Sequence, residues 1–377
     1  MLIVLAVVIV VVVPRLGKQP SSSEHFLAQG ETETMPARVV EVLEEGTVDL
    51  GGGSSQPYQR LLLHVESGSL AGQEVVVEEG TVNIISQERL FHPGDRVYLE
   101  RAVGPNGDRF YVSDFVRTKP LFWVTALFVT LVVLVGRGKG LRSLGGTLFS
   151  LVVIFAFIVP QIVAGRDSVI VSIAGSILLL TVSNYLIYGW NPRAHAAVAG
   201  MVLSLVLTGL LAWLSVDWAR LTGLTATESS YLVLELGPDI NLQGLLLGGI
   251  IIGSVGALDD VCVAQMSVVF ELINTDPDLE WTTLFRRAFN VGRDHIAAMV
   301  NTLVLAYTAA SLPLMLAFTI YQEPLWRRIN REPIAEEIVR TLVGSIGLIL
   351  AAPITSLIAS LLAHWLVQRE RARTEKE

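Results

Sequence analysis

After Pro120 the chain is a series of apolar segments with short connections: 121–135, 144–164, 168–189, 195–214, 243–272, 295–320 and 340–367. A helix needs about 20 apolar residues to cross a bilayer core. Only helices and closed barrels satisfy every backbone group in hydrocarbon. The composition agrees. The chain is 52% hydrophobic and 16% charged, where a soluble domain carries about 25% charged residues. Mean hydropathy is +0.57.

The first residues, "LIVLAVVIVVVV" at 2–13, are apolar but short. No basic stretch precedes them, so an anchor helix over 1–16, or a start codon further upstream, fits better than a removed signal peptide. Residues 17–35, rich in Ser, Gln, Glu and Thr, read as a polar linker. From 36 to 118 the texture is different. "ARVVEVLEE", "QRLLLHVE", "QEVVVEE", "TVNIIS", "DRVYLERAV" and "RFYVSDFV" are short β-branched runs separated by Gly- and Pro-containing turns. They predict a small antiparallel domain of five or six strands, barrel-like in form. Its "GGGSSQP" loop lacks the strand-to-helix context of a phosphate cradle. The expected fold is therefore a polytopic α-helical membrane protein of about eight transmembrane helices, carrying a small N-terminal β-domain. The membrane domain is expected over 119–367 and a charged tail over 368–377.

Lys and Arg in the connections set the orientation. With the N-terminus cytoplasmic, "RGKGLR", "NPRAH", "LFRRAFNVGRD" and "QRERARTEKE" lie inside. The β-domain and the acidic loop 215–240, with Asp217, Glu228, Glu235 and Asp239, lie outside. A net charge of −8 and the lack of a basic stripe argue against nucleic acid as a partner. One cysteine, Cys262, and six scattered histidines offer no disulfide framework and no metal spacing. No cofactor is expected.

The chemistry is concentrated in "LLLGGIIIGSVGALDDVCVAQ". Gly249, Gly253 and Gly256 share a face on which another helix backbone can pack closely. Asp259 follows about 24 Å of helix, and apolar turns continue beyond Asp260 to Phe270. An aspartate at the bilayer centre costs about 2.5–3.5 kcal/mol, and such residues face a cavity or a partner. A surface position is the competing reading. Adjacent residues lie about 100° apart on a helix, so one carboxylate is free to face a helix and the other a water-filled path.

Next, Trp281, Leu284, Phe285 and Ala288 oppose Arg286 and Arg287 on an amphipathic helix expected to lie in the interface. In "GRDHIAAMVNTLVLAYTAASLP", Asp294, Asn301 and Thr308 recur every seven residues, with Thr302 beside Asn301. Such a stripe either hydrogen-bonds a neighbouring helix or lines an ion path. Arg293 is placed to pair with Asp294, or across helices with Asp259 or Asp260. Thr355 and Ser356, after Pro353, add polar groups on the last helix. His364 reads as interfacial, and Ser183 and Asn184 are weaker candidates.

"GALDDVCVAQMSVVFEL" with "VGRDHIAAMVNTLVLAY" resembles the YibE/F family of bacterial multi-pass membrane proteins, over roughly 120–367. The resemblance implies a plasma-membrane protein and supplies no mechanism. The Gly256-to-Asp259 spacing, the apolar run, the amphipathic helix and the striped helix are more distantly similar to the SecD/SecF proteins of the proton- or sodium-driven RND permeases. That similarity implies a candidate ion-coupling role for Asp260. This chain differs in having an extra helix pair and one six-helix-like unit, which implies a homo-oligomer.

Two function classes remain open. One is an H⁺- or Na⁺-coupled transporter or transport-assisting factor using Asp259, Asp260, Asp294, Asn301, Thr302, Thr308 and Arg293. The other is a membrane scaffold whose β-domain binds an envelope partner. A remote enzyme alternative is an intramembrane aspartyl protease. "GALD" and "AAPI" resemble its motifs, but Leu258 stands where the second glycine is needed, and two aspartates on one helix cannot form a facing dyad.

Overall fold

The computed structural model describes residues 32–51, 54–81, 90–104, 107–224, 233, 241–320 and 323–374. The expected anchor over 1–16, most of the linker, most of the "TVNIIS" run, and Glu228, Glu235 and Asp239 lie outside the described residues. One compact unit ends at Phe128 and the other begins at Val129.

Among the described residues the first unit contains an antiparallel sheet of five strands: β1 Thr32–Gly51, β2 Ser54–Val65, β3 Glu74–Glu79, β4 Arg96–Gly104 and β5 Gly107–Phe115, in the order β3-β2-β1-β4-β5. β1 begins within the segment read as linker. Alternate residues point inward, as a strand's period of two requires: Met35, Ala37 and Val39 on β1, Leu61, Leu63 and Val65 on β2, Val97 and Leu99 on β4. The two edge strands are tied by a side chain, since the Val112 N–H donates to Glu79 Oε1 at 2.6 Å. Buried Gln59 accepts from Phe91 N–H (2.8 Å) and donates to its carbonyl (3.1 Å), which fixes the segment before β4. The far half of β1 leaves the sheet. β1 pairs with β4 only over 32–38, and past the last β3 partner at Gln59 Gly46–Asp49 form a two-stranded ribbon with 55–58 of β2.

Among the described residues ten helical elements follow: α1 Thr118–Val153, a π-turn Ile154–Ile158, α2 Val159–Val163, α3 Ser168–Tyr188, α4 Pro192–Trp218, α5 Leu242–Thr275, α6 Trp281–Ala310, α7 Leu312–Ile320, α8 Leu325–Ile329 and α9 Glu332–Thr374. Their starts follow the local sequence. Asp167, Asn191 and Asn241 accept from the N–H groups of Ile170, Ala194 and Gly244, closing the N-termini of α3, α4 and α5. Gly189, at φ 81°, ends α3 in a conformation that favours glycine.

Among the described residues, five helices are long and apolar enough to span a membrane: 118–163, 168–188, 192–218, 242–275 and 332–374. The chain has the helices of a membrane protein, arranged differently from the eight expected segments. Segments 121–135 and 144–164 belong to one helical run broken at Arg137 (φ 47°, ψ −130°). The break is sharp enough to bring Gly140 back against the Val132 carbonyl. The expected span 295–320 is also divided. Its first part continues α6, and Ser311 and Pro313 separate the rest as α7. The amphipathic segment from Trp281 is thus not a separate interfacial helix. Nothing between 281 and 310 breaks the helix.

In the second unit the apolar surface is on the outside. Leu203, Leu207, Leu210 and Leu214 form an exposed stripe on α4, whereas Ser204, Thr208, Ser254, Gln265, Thr355, Ser356 and Ser360 are buried. Side chains meet glycine notches between helices. A Cβ at Gly248 of α5 would run into Ser172 of α3, and one at Gly292 of α6 into Gln265 of α5. Between α4 and α9 the arrangement is reciprocal, with Thr355 filling the notch at Gly200 and Thr208 the notch at Gly347. Equal spacing in opposite directions makes α4 and α9 antiparallel. The same logic makes α3, α5 and α9 parallel to one another and α6 antiparallel to α5, with Gly292 at Gln265 and Gly253 at Tyr307.

A methyl group at Gly347 has no room beside Thr208, so Gly347→Ala is expected to destabilise the bundle by ~1–3 kcal/mol. Adding Thr208→Ala should recover most of that loss. Thermal unfolding in detergent checks both, and an additive double variant would contradict the notch.

Candidate functional site

Asp259 and Asp260 stand at the middle of the 34-residue α5. α5 runs beside α3, and their register is fixed by Ser172 at Gly248. About eleven residues further, or about 16 Å, the two helices meet again where buried Asn184 lies beside the Asp259 carboxylate. Asp259 is half-buried and Asp260 exposed, as their 100° separation predicts. Tyr188, one turn beyond Asn184, is close enough to both carboxylates to feel their charge. On the other side His295 of α6 acts electrostatically on Asp260. Two helices therefore bring an amide and two titratable side chains, a tyrosine and a histidine, to the aspartates.

Behind Asp259 the α5–α9 contact is polar. Thr355 Oγ1 donates to Cys262 Sγ at 3.1 Å and Ser356 Oγ donates to Gln265 Oε1 at 2.8 Å. All four residues are buried. At the α3–α4 turn, the Tyr185 hydroxyl hydrogen-bonds His195 Nδ1 at 2.7 Å, with Trp190 packed against both rings.

Other residues singled out by the sequence lie elsewhere. Asp294, Asn301 and Thr302 are exposed on α6, and Thr308 is half-buried. Thr302 and Thr308 spend their hydroxyl protons on the carbonyls of Ala298 and Val304 in their own helix. The inward face of α6 is Leu284, Ala288, Gly292 and Ile296, so the polar stripe points away from Asp259. Among the described residues no ion pair joins Arg293 to Asp259, Asp260 or Asp294, and Arg293 is exposed. The glycine face is also rotated from expectation. A Cβ at Gly249 or Gly256 would meet nothing, and only Gly253 abuts a neighbour, the Tyr307 hydroxyl. Gly248, one residue away, makes the close helix contact. Gly249, Gly253, Gly256 and Asp260 instead share an open face of α5.

The sequence reading passed over Tyr188, Gln265 and His295. Gln265 carried one usable signal, an amide in an apolar run. Tyr188 and His295 are marked only by what the fold brings opposite them.

If the buried and exposed polar groups differ as described, Gln265→Leu should destabilise the protein by about 1–2 kcal/mol, because Ser356 then loses its partner. Asn301→Ala should change stability by less than about 0.5 kcal/mol. Unfolding in the same detergent compares them, and equal losses would contradict the assignment of faces.

The model of the family described as YibE/F-like protein matches residues 124–365. No curated protein and no solved structure matches the chain. The matched stretch takes in α3, α4, α5 and α6, nearly all of α1, and α9 as far as Trp365, and with it the aspartate pair and its partners: the chain belongs to the YibE/F-like family.

Proposed function

We propose that the chain is an ion-coupled membrane transporter, or a factor that assists transport, in which Asp259 and Asp260 bind and release H⁺ or Na⁺. The observation that carries this reading is the carboxylate pair at the midpoint of α5, one member beside buried Asn184 and the other on an open face opposite His295. Carboxylates at that depth need a partner or water, and they are the ordinary means of ion coupling in membrane proteins. The distant similarity to SecD/SecF proteins supports the same class.

Asp294, Asn301, Thr302, Thr308 and Arg293 join the path when a second copy of the chain covers the outer face of α6, so a homo-oligomer belongs to the reading. The orientation that follows from the basic connections has the N- and C-termini in the cytoplasm of a bacterial cell and the β-domain outside, where it engages a substrate or an envelope partner.

A scaffold is the second reading, favoured by the ribbon of β1 and β2. That ribbon and the stretch of β1 leading into it expose Leu43, Glu44, Glu45 and Asp49. Such an arm suits a binding partner and needs no titratable group in the membrane.

Flux into proteoliposomes under imposed pH and Na⁺ gradients separates the two. Asp259→Asn or Asp260→Asn is expected to abolish gradient-driven flux while leaving the helical content unchanged. Equal flux in all three proteins would make the aspartates structural, and no flux in any of them would favour the scaffold.

A further inference from the structure

The Asn184 side chain is 1% exposed. It lies beside the Asp259 carboxylate, and its Nδ2 has Met201 Sδ at 4.0 Å. Its carbonyl oxygen has no donor among the described residues. A buried amide oxygen left without a donor is costly, and this one stands beside a carboxylate, so the arrangement asks for a proton or a cation between them.

A primary amide offers two edges. Its N–H groups suit an ionised carboxylate, and its carbonyl suits a carboxylic acid. When Asp259 gains a proton its hydroxyl becomes a donor, and Asn184 Oδ1 is the adjacent acceptor that has no other bond. Rotation of the amide about its last side-chain bond exchanges one edge for the other without moving either helix. The step is a simple proton transfer from water to a carboxylate oxygen, with no other covalent change.

A bare Na⁺ asks for more. Many transporters that hold Na⁺ coordinate it with carbonyls freed by unwound helices. Here α3 and α5 are continuous through the site, over Ser168–Tyr188 and Leu242–Thr275. The nearby α3 carbonyls are engaged as well: Tyr185 O accepts from Gly189 N–H at 2.9 Å and Tyr188 O accepts from Asn191 Nδ2 at 2.8 Å. Among the described residues no three of His, Cys, Asp and Glu converge to hold a metal ion. The titratable groups acting on this carboxylate are Asp260 and Cys262 of α5 and Tyr188 of α3, while His295 of α6 acts on Asp260. α4 and α9 present Met201 and Thr355 at this level, and neither titrates.

We propose that the site takes a proton rather than Na⁺, and that Asn184 is a positioning residue that hydrogen-bonds Asp259 in both protonation states by turning its amide. The inference rests on the ion-coupled reading of Asp259 given above.

Infrared difference spectra of the full chain in liposomes, between acidic and alkaline buffer, test it. The expected spectrum contains a carboxylic-acid carbonyl band that is lost in Asp259→Asn, together with a side-chain amide change. Asn184→Leu, close in volume, should remove the amide change and displace the carboxyl band. Sodium added at constant pH should leave both unchanged. Should the leucine variant fail to fold by circular dichroism, Asn184→Ser replaces it, and it too should lose the amide change. An Asp259 band indifferent to Asn184, or one removed by Na⁺ at constant pH, overturns the proposal while ion coupling stands. A spectrum with no Asp259 band overturns both.

Discussion

Helices in hydrocarbon gain nothing by hiding apolar surface from lipid, so contact between them depends on close backbone approach and on polar side chains that find partners. The bundle here solves that problem with glycine notches filled by hydroxyls and amides. Thr208 and Thr355 enter Gly347 and Gly200 from opposite sides of the α4–α9 contact. Ser172 at Gly248 sets the register of α3 on α5, and that register brings Asn184 to Asp259. Gln265, filling the notch at Gly292 and bonded to Ser356, joins α6 and α9 to the same helix. The placement of the aspartates therefore follows from packing that lies away from them.

Much of this architecture was legible from the residues. The succession of apolar segments and the change of texture near 118 both mark elements that form. The aspartate pair was legible because hydrocarbon makes a carboxylate conspicuous. What the sequence does not carry is direction around a helix axis. Gly248 and Gly249 differ by one position, about 100°, yet the first makes the contact and the second faces outward. The seven-residue spacing of Asp294, Asn301 and Thr308 establishes a stripe, but only the neighbours of α6 decide where it points. Asn184 is a weaker candidate by sequence, and nothing local ties it to Asp259, 75 residues away.

The breaks were harder to read than the spans. Arg137 sits between Gly136 and Gly138, where the chain turns back within a single helical run. In contrast, Gly292 interrupts nothing, because a lone glycine costs a helix only about 1 kcal/mol and here its missing side chain admits Gln265. The same residue type thus marks a reversal in one helix and a joint in another. These joints lie within the stretch that places the chain in the YibE/F-like family.

The account as a whole depends on whether the α5 carboxylates border water or merely pack. Cys262 is the single cysteine, so Cys262→Ala gives a background in which one introduced thiol can be followed. In that background Asp259→Cys and Asp260→Cys are compared with Leu210→Cys, on the exposed apolar stripe of α4, for reaction with a charged, water-soluble methanethiosulfonate in liposomes. The account predicts modification at one or both α5 positions and none at 210. Silence at positions 259 and 260 alike would contradict it, and would leave the aspartates as parts of a dry scaffold.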